Sequence, residues 1–146
     1  MIRPEIITVG RMKNQAQLSL WKDYSKRLQW PLILHEIEPK NAQDEEKRLL
    51  EKISPRAFVF ILDERGKSIS SPEFAKKIEN IAHNGQPDVQ FIIGGADGLF
   101  PSIRERADFI LSFGKQTWPH MLARLMLIEQ IYRAQQILDG HPYHRN

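Results

Sequence analysis

Val89-Gln90-Phe91-Ile92-Ile93-Gly94-Gly95-Ala96-Asp97-Gly98 decides the fold of this chain: an apolar run of strand length opens directly into a glycine cluster. A run bounded in this way reads as a strand buried on both faces, and glycine at its end lets the backbone turn sharply or approach a ligand without an intervening Cβ. Both readings of Gly94-Gly95, a tight turn of positive φ and a ligand loop, stay open at this level. Working outward, short apolar runs alternate with amphipathic segments along the whole chain, the pattern of a parallel sheet covered by helices. Strands are expected at Ile6 to Val9, Leu32 to Ile37, Ala57 to Leu62, Val89 to Ile93 and Phe109 to Phe113. Leu18, Trp21, Tyr24 and Leu28 mark one helix, and Asp44, Glu45 and Glu46 suit the first turn of a second, where carboxylates favour the dipole. Ser71-Pro72 reads as N-cap and N1 of a third, whose buried face is Phe74, Ile78 and Ile81, and Asp63 to Ser70 reads as a polar loop before it. A short helical piece falls around Ile103 to Arg106, and the longest helix runs from about His120 to Leu138. The expected class is a single-domain, parallel-sheet α/β protein.

Composition sets the outer limits. With 146 residues, 41% of them hydrophobic and 27% charged, the chain fits one compact domain, and it carries no repeat or low-complexity tract. A net charge of +3 permits an RNA partner without demanding one. Cysteine is absent, which removes disulfides, thiol nucleophiles and Cys-zinc sites from the possible chemistry. No stretch has the length of a membrane span and the first ten residues do not read as a secretory signal, so a cytoplasmic protein without a membrane partner is expected.

In open parallel sheets ligands bind beyond the carboxyl ends of the strands. Three loops therefore become candidates for one pocket: the one after Leu62, the one at Gly94 to Gly98, and the one from Phe113 to Trp118. Familiar phosphate motifs are missing: Gly66-Lys67-Ser68 resembles the end of a Walker loop, but Ile61 stands where its first glycine belongs, and Gly10 follows the first strand alone. His120 and Arg124, four apart at the start of the last helix, project from one face, either toward an anion or RNA phosphate or into solvent. Glu129 and Arg133 have the order of a helix-stabilising pair. Arg11, Lys13, Lys22, Lys26 and Arg27 form a basic patch that reads first as a solvated helix face. The last six residues bring together His141, Tyr143, His144 and Arg145, where a polar tail would ordinarily fray. Tyr143 beside His144 offers a stacking ring and a titratable donor suited to an unstacked base. No further ligand completes His141-x-x-His144, so no metal is expected.

These residues resemble the RlmH family of SPOUT-class methyltransferases over nearly the whole chain. The likeness runs from Val9-Gly10 through Leu62-Asp63 with Gly66-Lys67, Ile93-Gly94-Gly95 with Gly98-Leu99, Leu111-Ser112-Phe113, Thr117 with Pro119-His120, Arg124, Glu129-Gln130 and Tyr132-Arg133-Ala134, to Tyr143-His144. The resemblance implies a trefoil knot in the C-terminal half and a homodimer whose shared active site takes the tail of one subunit to the cofactor of the other. It implies S-adenosylmethionine (SAM) as methyl donor and, as product, N3-methylated pseudouridine in the helix 69 loop of 23S ribosomal RNA on the ribosome. Carried over by position, Leu62, Gly94, Phe113, Gly114, Lys115, Gln116, Thr117 and Trp118 would hold SAM, with no specific role for the side chains of Gly114, Lys115 and Gln116. Tyr143 and Arg124 would bind the RNA, while His144, His120 and Arg145 would serve catalysis, His144 foremost in hydrogen bonding or proton removal. A SPOUT-type enzyme acting on transfer RNA, and a non-catalytic ribosome-binding module with a SAM-like pocket, are the competing readings.

Overall fold

The computed structural model describes residues 1–145. In chain order its elements are β1 (Arg3–Val9), α1 (Gln15–Arg27), β2 (Ile33–Ile37), α2 (Ala42–Lys52), β3 (Phe58–Lys67), α3 (Ser71–His83), β4 (Asp88–Ile93), α4 (Pro101–Arg106), β5 (Phe109–Leu111) and α5 (His120–Leu138). The strands form one parallel sheet in the order β2-β1-β4-β3-β5. Successive side chains along a strand face opposite ways, and here both faces are covered. Ile6, Phe60 and Phe91 point toward the layer of α1, α3 and α5, where Phe60 stacks on Phe91 at 4.9 Å between ring centroids and Phe74 meets Phe60 edge-on at 5.8 Å. Ile7, Val59, Ile61 and Ile92 point the other way, against Leu49 of α2 and Ile103 of α4. This double burial explains why the central strands read as unbroken apolar runs and not as alternating ones.

Three local readings are corrected. The polar segment Asp63 to Lys67 continues β3: after a register shift Lys67 pairs with Leu111, and the Ser112 amide donates to the Lys67 carbonyl at 3.0 Å. Ladder bonds to β5 hold a sequence that has no apolar pattern of its own. Strand β5 in turn stops at Leu111, because the Ser112 hydroxyl accepts the Gly114 amide at 3.0 Å and turns the chain. At α3 the cap is Ser70, not Ser71. Its hydroxyl and the Glu73 carboxylate satisfy each other's backbone N–H groups, a complete capping box that places Pro72 at the second helical position.

Helix α5 lies between α1 and α3 and buries Leu127, Ile128, Ile131 and Ala134. Its 19 residues span about 28 Å, carrying the chain from the carboxyl end of the sheet to the far side. No helix among the described residues is long and apolar enough to cross a membrane.

Gly66 marks the tightest crossing. A Cβ there would lie 2.6 Å from the Ile110 carbonyl oxygen, a backbone atom. Gly66→Ala is therefore expected to lower unfolding free energy by about 1 to 3 kcal/mol, as overpacking does. Urea titration measures it, and unchanged stability would mean that the extension of β3 does not press on β5.

Candidate active site at the carboxyl end of the sheet

The three expected loops line one open cavity of about 930 Å³. Its wall takes Leu62, Asp63, Glu64 and Arg65 after the apolar half of β3, Ile93 to Leu99 after β4, and Leu111, Phe113, Gly114, Gln116, Thr117 and Trp118 after β5. Pro119 at the N-cap of α5 and His120 and Met121 in its first turn add to the wall. Lys115 is exposed and does not face the cavity. Apolar walls come from Leu62, Ile93, Leu99, Leu111 and Phe113, and carboxylates from Asp63, Glu64 and Asp97.

Hydrogen bonds shape these loops. Asp63 pairs with Arg104 of α4 and with Arg65, the Thr117 hydroxyl donates to Glu64, and the Trp118 indole N–H donates to the Phe113 carbonyl at 3.3 Å. The Gly98 amide donates to the Gly95 carbonyl at 3.1 Å, closing the glycine loop upon itself. This closure accounts for Gly94. A Cβ there would stand 2.9 Å from the Gly98 carbonyl oxygen and 2.8 Å from Leu99 Cδ2. The loop's own folding thus demands glycine, whether or not a ligand approaches. At Gly114 the cause differs: φ is +109° and the space beside it is open.

Sequence reading missed Glu45. Its α2 position suits the helix dipole, but the fold also brings it beside Gly95, Asp97 and His120. Burial pushes its carboxyl above the usual range and Asp97 adds to the rise, while the Gly95 amide and His120 act in the opposite sense. No sequence spacing connects α2 with the β4 loop; sheet order does.

Two residues expected to face RNA have partners within the chain. Arg124 is 1% exposed, donating from Nη1 to Glu36 Oε2 at 2.6 Å and from Nη2 to the Gly10 carbonyl at 3.0 Å. Its spacing from His120 is helical as expected, but that side of α5 turns down onto β2 and the β1–α1 loop at Arg124, whereas His120, one turn earlier, reaches the cavity. Tyr143 does not present a free stacking ring. It packs edge-on against Tyr132 at 4.9 Å, the Arg133 guanidinium lies 4.8 Å from its centroid, and its hydroxyl donates to Glu129 at 3.0 Å. Burial first, then the bonds to Glu129 and Tyr24, push the Tyr143 phenol pKa up. His144 meets Arg133, and Arg145 is exposed. None of the three tail residues lines the cavity of their own chain. Among the described residues no group of three or more His, Asp or Glu side chains forms a metal-ligand cluster.

Comparison with known proteins places this architecture. The family model described as Predicted SPOUT methyltransferase matches residues 2–144, which sets the chain in the SPOUT class. A probable methylase family protein from Haemophilus influenzae Rd KW20 has the same fold, with a TM-score of 0.61 at 11% identity over 99% of this chain and 71% of that one. The chain is also 48% identical over 147 residues to ribosomal RNA large subunit methyltransferase H of Rhodospirillum centenum, covering 96% of this chain and 97% of the relative. The protein of that name from Ruegeria sp. is 45% identical over 155 residues, 99% of each chain. The chain belongs, within the SPOUT class, to the RlmH family.

Gly94→Ala is expected to lower stability by about 1 to 3 kcal/mol because the glycine loop must open. Urea titration checks this; wild-type stability combined with lost cofactor affinity would restore ligand approach as the reason for the glycine. The raised Glu45 pKa has a definite sign. The folded state holds that proton more tightly than the unfolded chain, so the contribution of Glu45 to stability is fully present at acid pH and is lost as pH climbs through the window above about 4.3, the ordinary glutamate value. Glu45→Gln should remove that part of the slope in denaturation curves across this window; an unchanged slope would show that Glu45 is not the group responsible.

Proposed function

We propose that this chain methylates large-subunit ribosomal RNA with SAM as methyl donor, and that the target is N3 of a pseudouridine in the helix 69 loop of 23S ribosomal RNA. The observation that carries this reading is the single cavity built from the three strand-end loops in a chain 48% identical to a ribosomal RNA methyltransferase. The cavity fits SAM in size and chemistry. Its volume falls within the roughly 300 to 1,000 Å³ usual for small-molecule sites. Leu62, Ile93, Leu99, Leu111 and Phe113 offer apolar surface to an adenine, while Glu64 and Asp97 offer negative charge to a sulfonium and an ammonium. Gly94, Gly114, Gln116, Thr117 and Trp118 complete the binding wall in this reading. When bound, SAM supplies an electrophilic methyl group whose sulfonium charge disappears on transfer.

The protein's own work is alignment and proton handling. His120 stands in the cavity wall, where it can take the N3 proton. Among the described residues none of the tail lines the cavity of its own chain, which supports a homodimer in which the second copy delivers His144 and Arg145 to complete the site. Pseudouridine differs from uridine in carrying an N1–H donor, and a buried acceptor left unpaired by uridine would cost about 1 to 3 kcal/mol.

Deleting residues 141–146 should leave SAM binding nearly unchanged by calorimetry yet abolish methyl transfer. With labelled SAM, the full chain should label ribosomes carrying pseudouridine at the target about 5- to 150-fold faster than ribosomes carrying uridine, the ratio that about 1 to 3 kcal/mol gives. Equal labelling of the two, full activity without the tail, or preferential labelling of transfer RNA would each defeat this reading.

A further inference from the structure

Four donors converge on the Glu129 carboxylate. Arg133 Nε and Gln130 Nε2 reach Oε1 at 3.1 and 3.0 Å, and Arg133 Nη2 and the Tyr143 hydroxyl reach Oε2 at 2.6 and 3.0 Å. A carboxylate has about four lone-pair sites, so Glu129 is fully engaged in fixing Arg133 and the tail. The remaining arm of Arg133, Nη1, lies 3.1 Å from Nδ1 of His144. A guanidinium only donates, and the bond to Glu129 pushes its pKa further up, so it stays a cation. Nδ1 of His144 must therefore be the acceptor. A neutral imidazole has one N–H and one lone pair, so the proton sits on Nε2.

We propose that His144 acts in methyl transfer as a hydrogen-bond donor through Nε2–H, held in that tautomer by the positioning residues Arg133 and Glu129, and not as the base that takes the N3 proton. The proposal rests on the reading of the chain as a pseudouridine N3-methyltransferase. When the N3 proton departs, to His120 or to water, negative charge spreads onto the two carbonyl oxygens flanking N3. A donor fixed at one of them lowers the cost of that charge. The N3 electron pair then forms the bond to the methyl carbon as the carbon–sulfur bond breaks, and that bond's pair remains on sulfur. The Arg133 that meets His144 belongs to a cluster with Glu129 and Tyr132 of α5, Tyr24 and Arg27 of α1, and Tyr143 of the tail. The one carboxylate in this set is already taken up by its four donors, so it is not free to accept from an N–H at Nδ1 and favour the other tautomer. Protonation would turn both ring nitrogens into donors and break the Arg133 bond, so the arrangement belongs to the neutral ring.

The test joins spectroscopy to activity in the full-length, SAM-saturated protein. With ¹⁵N-labelled histidine, long-range ¹H–¹⁵N correlations at neutral pH, assigned by the loss of one ring in His144→Gln, should show His144 with Nε2 protonated and Nδ1 bare. In Arg133→Met the restriction lifts, and that ring should move to mixed-tautomer shifts. In methyl transfer to ribosomes, His144→Gln keeps an amide donor but has no base; it should stay within about tenfold of wild type with a pH–rate profile of the same shape, whereas His144→Ala falls about 10²- to 10³-fold. A protonated Nδ1, an unchanged tautomer in Arg133→Met, or His144→Gln as inactive as His144→Ala overturns the proposal. A wild-type chain that binds SAM and labels no ribosome defeats the functional reading and the proposal with it, and is told apart because it appears before any variant is made.

Discussion

The Arg124 guanidinium, buried between α5, β2 and the β1–α1 loop, is the interaction on which the arrangement of the site depends. A charge this deeply enclosed is tolerated only when it is paired and hydrogen-bonded. Glu36 and the Gly10 carbonyl take its two terminal nitrogens, leaving Nε as the one buried donor of the group without a partner among the described residues, and Glu36 also accepts the Met12 amide at 2.8 Å. One side chain thereby ties the start of the last helix to an edge strand and to the first strand-end loop. With α5 pinned there, His120 and Met121 become cavity wall, and the other end of the helix is set where the tail folds back onto Glu129 and Arg133.

The cavity is held by backbone geometry as much as by side chains. At Gly94 the loop closes on itself, and at Gly114 the chain needs positive φ after the Ser112 hydroxyl has ended β5. Asp63 and Glu64, which lie in the cavity wall, are held from other elements, by Arg104 of α4 and by Thr117 of the loop after β5. Preorganisation of this kind suits transfer chemistry, in which alignment of two reacting atoms supplies much of the rate.

The tail extends the same logic across a distance. Tyr132, Arg133 and Glu129 hold Tyr143 and His144 by an edge-on ring contact, a cation over a ring and charged hydrogen bonds. A terminus anchored in this way keeps its shape away from the cavity of its own chain.

Legibility followed periodicity. The apolar runs Val59 to Ile61 and Phe91 to Ile93, and the spacing of Phe74, Ile78 and Ile81, are set by burial on a two-faced sheet and on one side of a helix, so sequence alone determined the α/β class, five strands in nearly the observed places and the three loops at their carboxyl ends. Tertiary structure alone decided what depends on partners distant in the chain. The extension of β3 through Lys67 has no apolar pattern because its bonds come from β5. Glu45 reaches the site only because α2 packs on the face over which the β4 loop folds, and the partners that Arg124 and Tyr143 find in Glu36 and Glu129 leave no trace in the sequence, which records their charge and ring alone. Local pattern fixes which face of an element is apolar; which polar group meets which is fixed only when the elements pack.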